Sequence, residues 1–460
     1  MQFTQIEFLI FLGLILVAVW RCRARVTRNL ILLAASYYFY SYWDYRFCGL
    51  LLLSTAVDFF VAGRISHAAK PRAKKAWLCV SLGVNLGVLG FFKYFNFFIE
   101  SATPLIESAG LNASTLNIIL PVGISFYTFQ TLSYTIDVYR GKIRPTNSLL
   151  DFALYVAFFP QLVAGPIVRA SELLPQLARR PNWSALRFYG GFQLALCGLI
   201  KKVLLADRLG EVVDVVFAAP QLYGGLTVWL AVIGYAGQIY YDFSGYTDIA
   251  IGVAKMLGYR FPKNFRHPYL ATSVADFWHR WHMTLSRWLR DYLYIPLGGS
   301  RRGAFRTNVN LIITMVLGGL WHGAAWTFVL WGFWHGTALV CERELRRRYE
   351  LRKAVWLGRL STVLVVVFGW VLFRSTSLDH VASITRQLLF QTPGIDWYPP
   401  LAIAAIGIMV LEHAAWTTRL RIAMRLRADR WYTPIATIVM IWCLILYAPR
   451  GFTPFVYFQF

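Results

Sequence analysis

Eight histidines, at 67, 267, 279, 282, 322, 335, 380 and 413, carry most of the sequence's capacity for proton transfer near neutral pH. His322 lies in LGGLWHGAAW, among Gly318, Gly319 and Gly323, within a long apolar run. A titratable side chain at that depth in a membrane is expensive and marks a functional position by default. A neutral imidazole there can take the proton of a hydroxyl nucleophile, so His322 is the first candidate for a general base; the competing reading is a hydrogen-bonded packing histidine. His279 and His282, in DFWHRWHMTLSRW, stand three residues apart and are expected to share one helix face. No metal is expected, because a closed site needs ligands beyond two histidines and nothing nearby supplies them. His335, in WGFWHG, comes thirteen residues after His322, about 20 Å along an unbroken helix. It can share a site with His322 only where a hairpin folds the chain back. The other four histidines fall in loops or near span ends and read as structural.

Three carboxylates lie in or near apolar runs: Asp137 in TLSYTIDVYRG, and Asp242 and Asp248 in YYDFSGYTDIAIG. Each is paired with Arg or Tyr for structural reasons or lines a polar cavity, and the Tyr, Ser and Thr around Asp242, including Ser244, allow the cavity reading. Ser125 and Gln130, in PVGISFYTFQTLSY, fit the same polar seam.

The elements that must position these groups are membrane helices. Of 460 residues 57% are hydrophobic and only 15% charged, which excludes a disordered chain, a disulfide scaffold and a conventional soluble enzyme. Runs such as Leu360 to Phe373 are continuously apolar, unlike the short alternating strands of an outer-membrane barrel. The net charge of +24 sits in short clusters between apolar runs, the pattern of the positive-inside rule, and no nucleic-acid module accompanies it. Six scattered cysteines read as reduced or buried thiols. The N-terminal stretch has no basic residue before its apolar run and Arg21, Arg23, Arg25 and Arg28 after it, so it is expected to stay as a first span with its N-terminus outside.

Taking the basic clusters as cytoplasmic pins gives spans at about 29–43, 46–63, 76–98, 117–138, 186–205, 225–241, 242–258, 357–373, 399–417 and 434–449, with a periplasmic C-terminus. Residues 148–168 leave and return between pins, so FPQLVAGPIVR reads as a re-entrant segment turning at its Pro and Gly residues; such backbone is tolerated only under cover of protein or around a cavity. The basic, aromatic stretch from Arg260 to Arg306 places Phe277, Trp278, Trp281, Trp288, Leu289 and Leu293 at helical spacing, as in an interfacial amphipathic helix. Asn308 to Cys341 is too short for two full crossings and is expected to be a re-entrant hairpin turning near residue 325. There is no internal repeat and no soluble domain, so residues 1–460 read as one membrane-embedded unit.

FPQLVAGPIVR, YYDFSGYTDIAIG, FPKNFRHPYLATSVADFWHRWHMTLSRWLRDYLYIPLGGSR and LGGLWHGAAWTFVLWGFWHG, in that order over residues 120–340, closely resemble the membrane-bound O-acyltransferase family. Within it the chain is similar to the bacterial branch that holds the alginate O-acetyltransferase membrane subunit and the D-alanyl-lipoteichoic acid transferase, and IPLGGSRRG matches the acetylating members. The resemblance implies an all-α polytopic fold of about 11–13 membrane helices, re-entrant segments included, around a central funnel or tunnel. It places catalytic roles on His322 and His282. It also implies an O-acetyltransferase that moves an acetyl group from cytoplasmic acetyl-CoA across the bacterial inner membrane to modify an alginate-type exopolysaccharide, through a periplasmic SGNH-type partner acetyltransferase. Acetyl-CoA is then a substrate and no cofactor is bound permanently.

On this reading Arg266, Arg280, Arg287, Arg301 and Arg302 meet the donor's phosphates, while Gln130, Asp242, Ser244, Trp321 and His335 line the tunnel. Transfer of D-alanyl or peptidoglycan-directed acyl groups by the same fold is the alternative. A transporter or flippase would explain re-entrant segments equally well, but the chain shows no repeated half and the histidine motifs have no transport rationale.

Overall fold

The computed structural model describes residues 1–348, 355–416, 430–447 and 455–456. The named elements among them are all helical; an isolated bridge joins Tyr223 and Ile395. The basic cluster Arg419, Arg421, Arg425 and Arg427, expected as a cytoplasmic pin, lies outside the described residues, as do the last residues of the chain. Two compact units divide the chain, residues 1–192 with 250–262, and residues 193–249 with 263–460.

The first unit opens with α1 (Ile6–Arg21), α2 (Arg25–Ser41), α3 (Cys48–His67) and α4 (Pro71–Leu89), the last running through a π-helical turn at Gly90–Tyr94 into α5 (Phe95–Ser108). Then come α6 (Ile124–Tyr139), α7 (Leu149–Ala157), the single turn α8 (Phe159–Leu162) and α9 (Ala170–Leu177). α10 (Ala185–Ile200) passes through a second π turn, Lys201–Ala206, into α11 (Asp207–Ala218), and α12 (Gly225–Met256) follows. The second unit, to which residues 193–249 of α10, α11 and α12 belong, adds α13 (Val274–Trp278), α14 (Met283–Leu289), α15 (Gly303–His322), α16 (Trp326–Arg348), α17 (Val355–Arg374), α18 (Leu378–Phe390), α19 (Pro400–Trp416) and a last helix at Tyr432–Tyr447.

Among the described residues Tyr45–His67, Pro71–Ser108, Ala185–Ala218 and Val355–Arg374 are long and apolar enough to cross a membrane on their own, and Pro400–Ala415 and Tyr432–Tyr447 are shorter apolar helices. α6 and α12 hold more polar side chains and bury them against protein, which is where a membrane protein can afford them. The chain is a multi-pass helical membrane protein.

Irregular backbone in the first unit has its hydrogen bonds supplied from outside the helix. Pro160 cannot donate to the turn before it, and α7 stops at Ala157. The Tyr155 carbonyl instead accepts from the side-chain amides of Gln130 at 2.6 Å and Gln161 at 2.7 Å, and the Phe159 N–H donates to the Ser36 hydroxyl. The segment expected to be re-entrant is thus a buried, broken helix, and Gln130 is one of the groups that make the break tolerable.

Three expectations change. Residues 225–256 form one helix, not the two spans expected at 225–241 and 242–258: the YYDFSGYTD stretch contains no breaker stronger than Gly245. With α10–α11, the single helix makes two long helical stretches between the basic residues near 180 and those near 260, where three spans were expected. The Arg260–Arg306 stretch is not one amphipathic helix, because α13 ends at Trp278 and α14 begins at Met283, with His282 between them in a left-handed conformation (φ +39°). The hairpin turns at Gly323–Ala325, as expected near residue 325, but its arms are longer than its apolar run. Charged residues continue both open ends as helix, and on α16 the ion pairs Arg346–Glu342 and Arg347–Glu344 span single turns.

That hairpin is closed backbone to backbone. A Cβ on Gly319 would lie 2.1 Å from the Phe328 carbonyl oxygen, and one on Gly332 would lie 2.3 Å from that of Met315. Small residues allow such approach between membrane helices. Gly319→Ala is therefore expected to push α15 off α16 at a cost of about 1–3 kcal/mol, seen as a lower thermal unfolding midpoint in detergent. An unchanged midpoint would contradict this packing.

Candidate active site

His322 is the last residue of α15, at the mouth of the hairpin turn, and it is buried. Three rings surround its imidazole: Trp321 with centroids 5.0 Å apart, Trp331 of α16 at 5.1 Å and Phe373 of α17 at 5.2 Å, all edge to face. The tight turn explains this arrangement, since the Gly323–Ala325 reversal brings the first turns of α16 back beside the end of α15.

His282 is fully buried and packs against Trp321 as well. Its ring lies 5.9 Å from Trp321 and 4.7 Å from Phe243 of α12. The two histidines chosen from sequence thus share the indole of Trp321. The left-handed backbone at His282 is uncommon for a residue with a Cβ, and it is held because the following residues are tied to Asn264. The Met283 N–H donates to the Asn264 carbonyl, and the Asn264 Oδ1 takes hydrogen bonds from the Thr284 N–H and hydroxyl. The same Oδ1 is 3.1 Å from His282 Nδ1. Breaking the helix here separates the pair that sequence spacing put on one face: His279 is exposed, bonded through Nδ1 to the Ala275 carbonyl, while His282 points inward.

His335 does return to the neighbourhood, because the hairpin folds back. It is buried against Trp331 at 5.0 Å and Trp278 at 5.2 Å, and its Nε2 would lie 2.6 Å from a Cβ on Gly369. Neither ring nitrogen has a hydrogen-bond partner among the described residues.

Asp242 and Ser244 are also buried in this unit. The Asp242 carboxylate is 2.6 Å from the Lys202 ammonium, which is 2.7 Å from Asp207, and it accepts the Val456 N–H at 2.9 Å. Asp248 pairs with Lys201 at 2.8 Å. The structural alternative for these carboxylates, pairing, is what the geometry displays, and Asp137 similarly lies 3.9 Å from Lys142. Gln130 belongs to the first unit, at the broken helix described above. His267 and His413 join a polar group with Glu412, which accepts the Tyr240 and Tyr241 hydroxyls.

A cavity of about 400 Å³ opens between the α13–α14 segment and the α15–α16 hairpin. Its walls are apolar, with Met283, Leu289, Leu311, Met315 and Leu339; Arg287 and Arg290 supply its charge, and His279 adds a polar edge. Met315 precedes His322 by two turns of α15, about 10 Å along the helix. Of the five arginines proposed for an anionic donor, only Arg287 lines this cavity. Arg280 is engaged with Asp276 at 2.8 Å, and Arg266, Arg301 and Arg302 are exposed on turns. Arg290 was missed; as the neighbour of Asp291, 2.7 Å away, it reads in sequence as a satisfied surface pair. Trp331 and Phe373 were missed as partners of His322, and only WHG and its glycines signalled that the chain would crowd there.

The model of the membrane-bound O-acyltransferase family matches residues 143–385, which include Asp242, Asn264, His282, His322, His335 and the whole lining of the arginine-rimmed cavity. The chain belongs to that family. A probable alginate O-acetylase of Azotobacter vinelandii is 45% identical over 82% of this chain and 76% of its own length. One from Pseudomonas putida is 39% identical with both chains covered in full. A peptidoglycan O-acetyltransferase of Helicobacter pylori is 36% identical over 78% of this chain and 73% of its own. This membrane-bound O-acyltransferase therefore has relatives, alike over most of their length, that share acetyl transfer to a glycan hydroxyl and differ in the glycan.

Proposed function

We propose that this O-acyltransferase takes the acetyl group of cytoplasmic acetyl-CoA and delivers it, across the bacterial inner membrane, for O-acetylation of an alginate-type exopolysaccharide through an extracytoplasmic SGNH-type partner. Both termini then face the periplasm. The observation that carries the reading is the convergence of two buried histidines on one tryptophan, two helical turns from a cavity with an arginine rim. Relatives acting on alginate at 39–45% identity support the polysaccharide over peptidoglycan, whose relative stands at 36%.

In the chemistry this supports, His322 accepts the proton of the attacking hydroxyl as its oxygen bonds to the thioester carbonyl carbon. The C–S bond then breaks, and the departing thiolate takes the proton back from the imidazolium. The Trp331 indole N–H has no acceptor among the described residues and is available to the developing oxyanion. His282 holds the hydroxyl in line. The surrounding aromatic rings exclude water, which would otherwise hydrolyse the thioester.

The test is transfer of label from [14C]acetyl-CoA by the purified protein in nanodiscs, with and without its partner and glycan. Absence of any use of acetyl-CoA by the complete system would overturn the donor assignment. Arg287→Ala with Arg290→Ala is expected to raise the KM for acetyl-CoA about tenfold or more with kcat little changed, because charged contacts remote from the reacting carbon contribute equally to ground and transition states. A KM unchanged in the double variant would remove the cavity from donor binding.

A further inference from the structure

We infer that Asn264 is a positioning residue that fixes the tautomer of His282, so that the imidazole carries its proton on Nδ1 and presents Nε2 as a proton acceptor. The inference rests on the acyl-transfer reading above and adds to it the state in which His282 works.

The orientation of the Asn264 amide can be derived. The Thr284 backbone N–H, which can only donate, lies 3.2 Å from the atom assigned as Oδ1, and the Thr284 hydroxyl lies 2.9 Å from it. With the amide flipped, an NH2 group would face that N–H, donor against donor, inside a buried site. The oxygen therefore faces Thr284. The same oxygen is 3.1 Å from His282 Nδ1, and since it can only accept, Nδ1 must donate. A neutral imidazole has one N–H, so the lone pair is on Nε2.

The arrangement depends on backbone as well as side chain. The Asn264 carbonyl accepts the Met283 N–H at 2.9 Å, which ties the irregular segment before α13 to the residue after His282 and stabilises the left-handed turn. An asparagine whose carbonyl and side-chain oxygens together take four donors from residues 282–284 thereby sets both the direction and the protonation of one ring. Removing the group that orients a metal-bound histidine typically costs about 10–100-fold in activity, and an effect of that order is expected here for a histidine oriented in the same way.

Two readouts test this. Nitrogen NMR of [15N]histidine-labelled protein in nanodiscs, with the His282 signal identified by its loss in His282→Ala, should report the Nδ1–H form in the wild type. In Asn264→Ala it should report the Nε2–H form, and acetyl transfer should fall about 10–100-fold in kcat with little change in the KM for acetyl-CoA. Asn264→Asp guards against simple misfolding: its carboxylate still accepts from Nδ1, so the tautomer and most of the transfer should be kept. Because a neighbouring negative charge favours imidazolium, the acid limb of its pH–rate profile should move to higher pH. An Nδ1–H signal surviving in Asn264→Ala, or wild-type transfer in that variant while His282→Ala is inactive, would overturn the assignment. A wild type or His282→Ala result showing no role in acetyl transfer would instead defeat the functional reading, and the NMR tautomer would still judge this one.

Discussion

Replacing His322 by alanine is expected to lower acetyl transfer by about 10²–10⁴-fold, the range that a positioned general base supplies. On the proposed acetyl-CoA reading, the loss should appear in kcat, with [14C]acetyl-CoA as donor, while its KM holds, because the arginine-rimmed cavity proposed for the donor is two helical turns away on α15. The control is needed because the ring is packed between Trp331 and Phe373. Its removal leaves a space that these rings can enter, so an inactive variant must also be shown to retain its unfolding midpoint. His322→Gln, which fills more of the space but cannot serve as a base near neutral pH, should be as inactive as alanine and better packed. Turnover equal to wild type in either variant would remove His322 from the chemistry and leave His282 as the reactive imidazole.

The burial of His322 was legible in the sequence because a histidine surrounded by glycines and tryptophan in an apolar run conflicts with every local rule, and such conflicts gather at sites under functional demand, which is why the chemistry is proposed there. The hairpin turn was legible for a related reason: glycines and a length too short for two crossings left few alternatives. What failed were inferences that assumed unbroken periodicity. His279 and His282 have the spacing of one helix face, yet the bonds from Met283 and Thr284 to Asn264 hold His282 itself in a left-handed conformation, so no helix joins the two. Asn264 is eighteen positions from His282, and nothing in local spacing links the two. The opposite error occurred at Asp242, where one continuous helix was divided into two spans at the boundary between residues 241 and 242. There the helix persists, since Lys202, on another helix, neutralises the carboxylate. A partner supplied from forty residues away is invisible to any window that reads the chain in order.

That buried pair yields the second large effect. Lys202 stands between two buried carboxylates, Asp242 at 2.6 Å and Asp207 at 2.7 Å. Lys202→Met fills similar volume but leaves two carboxylates without their cation, and breaking a buried pair in this way costs about 3–5 kcal/mol. Asp242→Asn should cost less, because Lys202 keeps Asp207 and an amide oxygen can still accept the Val456 N–H. The order, with Lys202→Met well below Asp242→Asn and both below wild type in unfolding midpoint, is the signature of a structural ion pair. It also separates the two readings of Asp242. As a pairing group, its asparagine variant loses activity only in proportion to the folded protein lost, so kcat per folded molecule stays at the wild-type level. As a group lining the path of the acyl donor, the same variant would unfold normally and turn over slowly. Stability and kcat measured on one preparation of Asp242→Asn therefore decide between a carboxylate that holds α12 to the Lys201–Ala206 turn and one that meets the substrate.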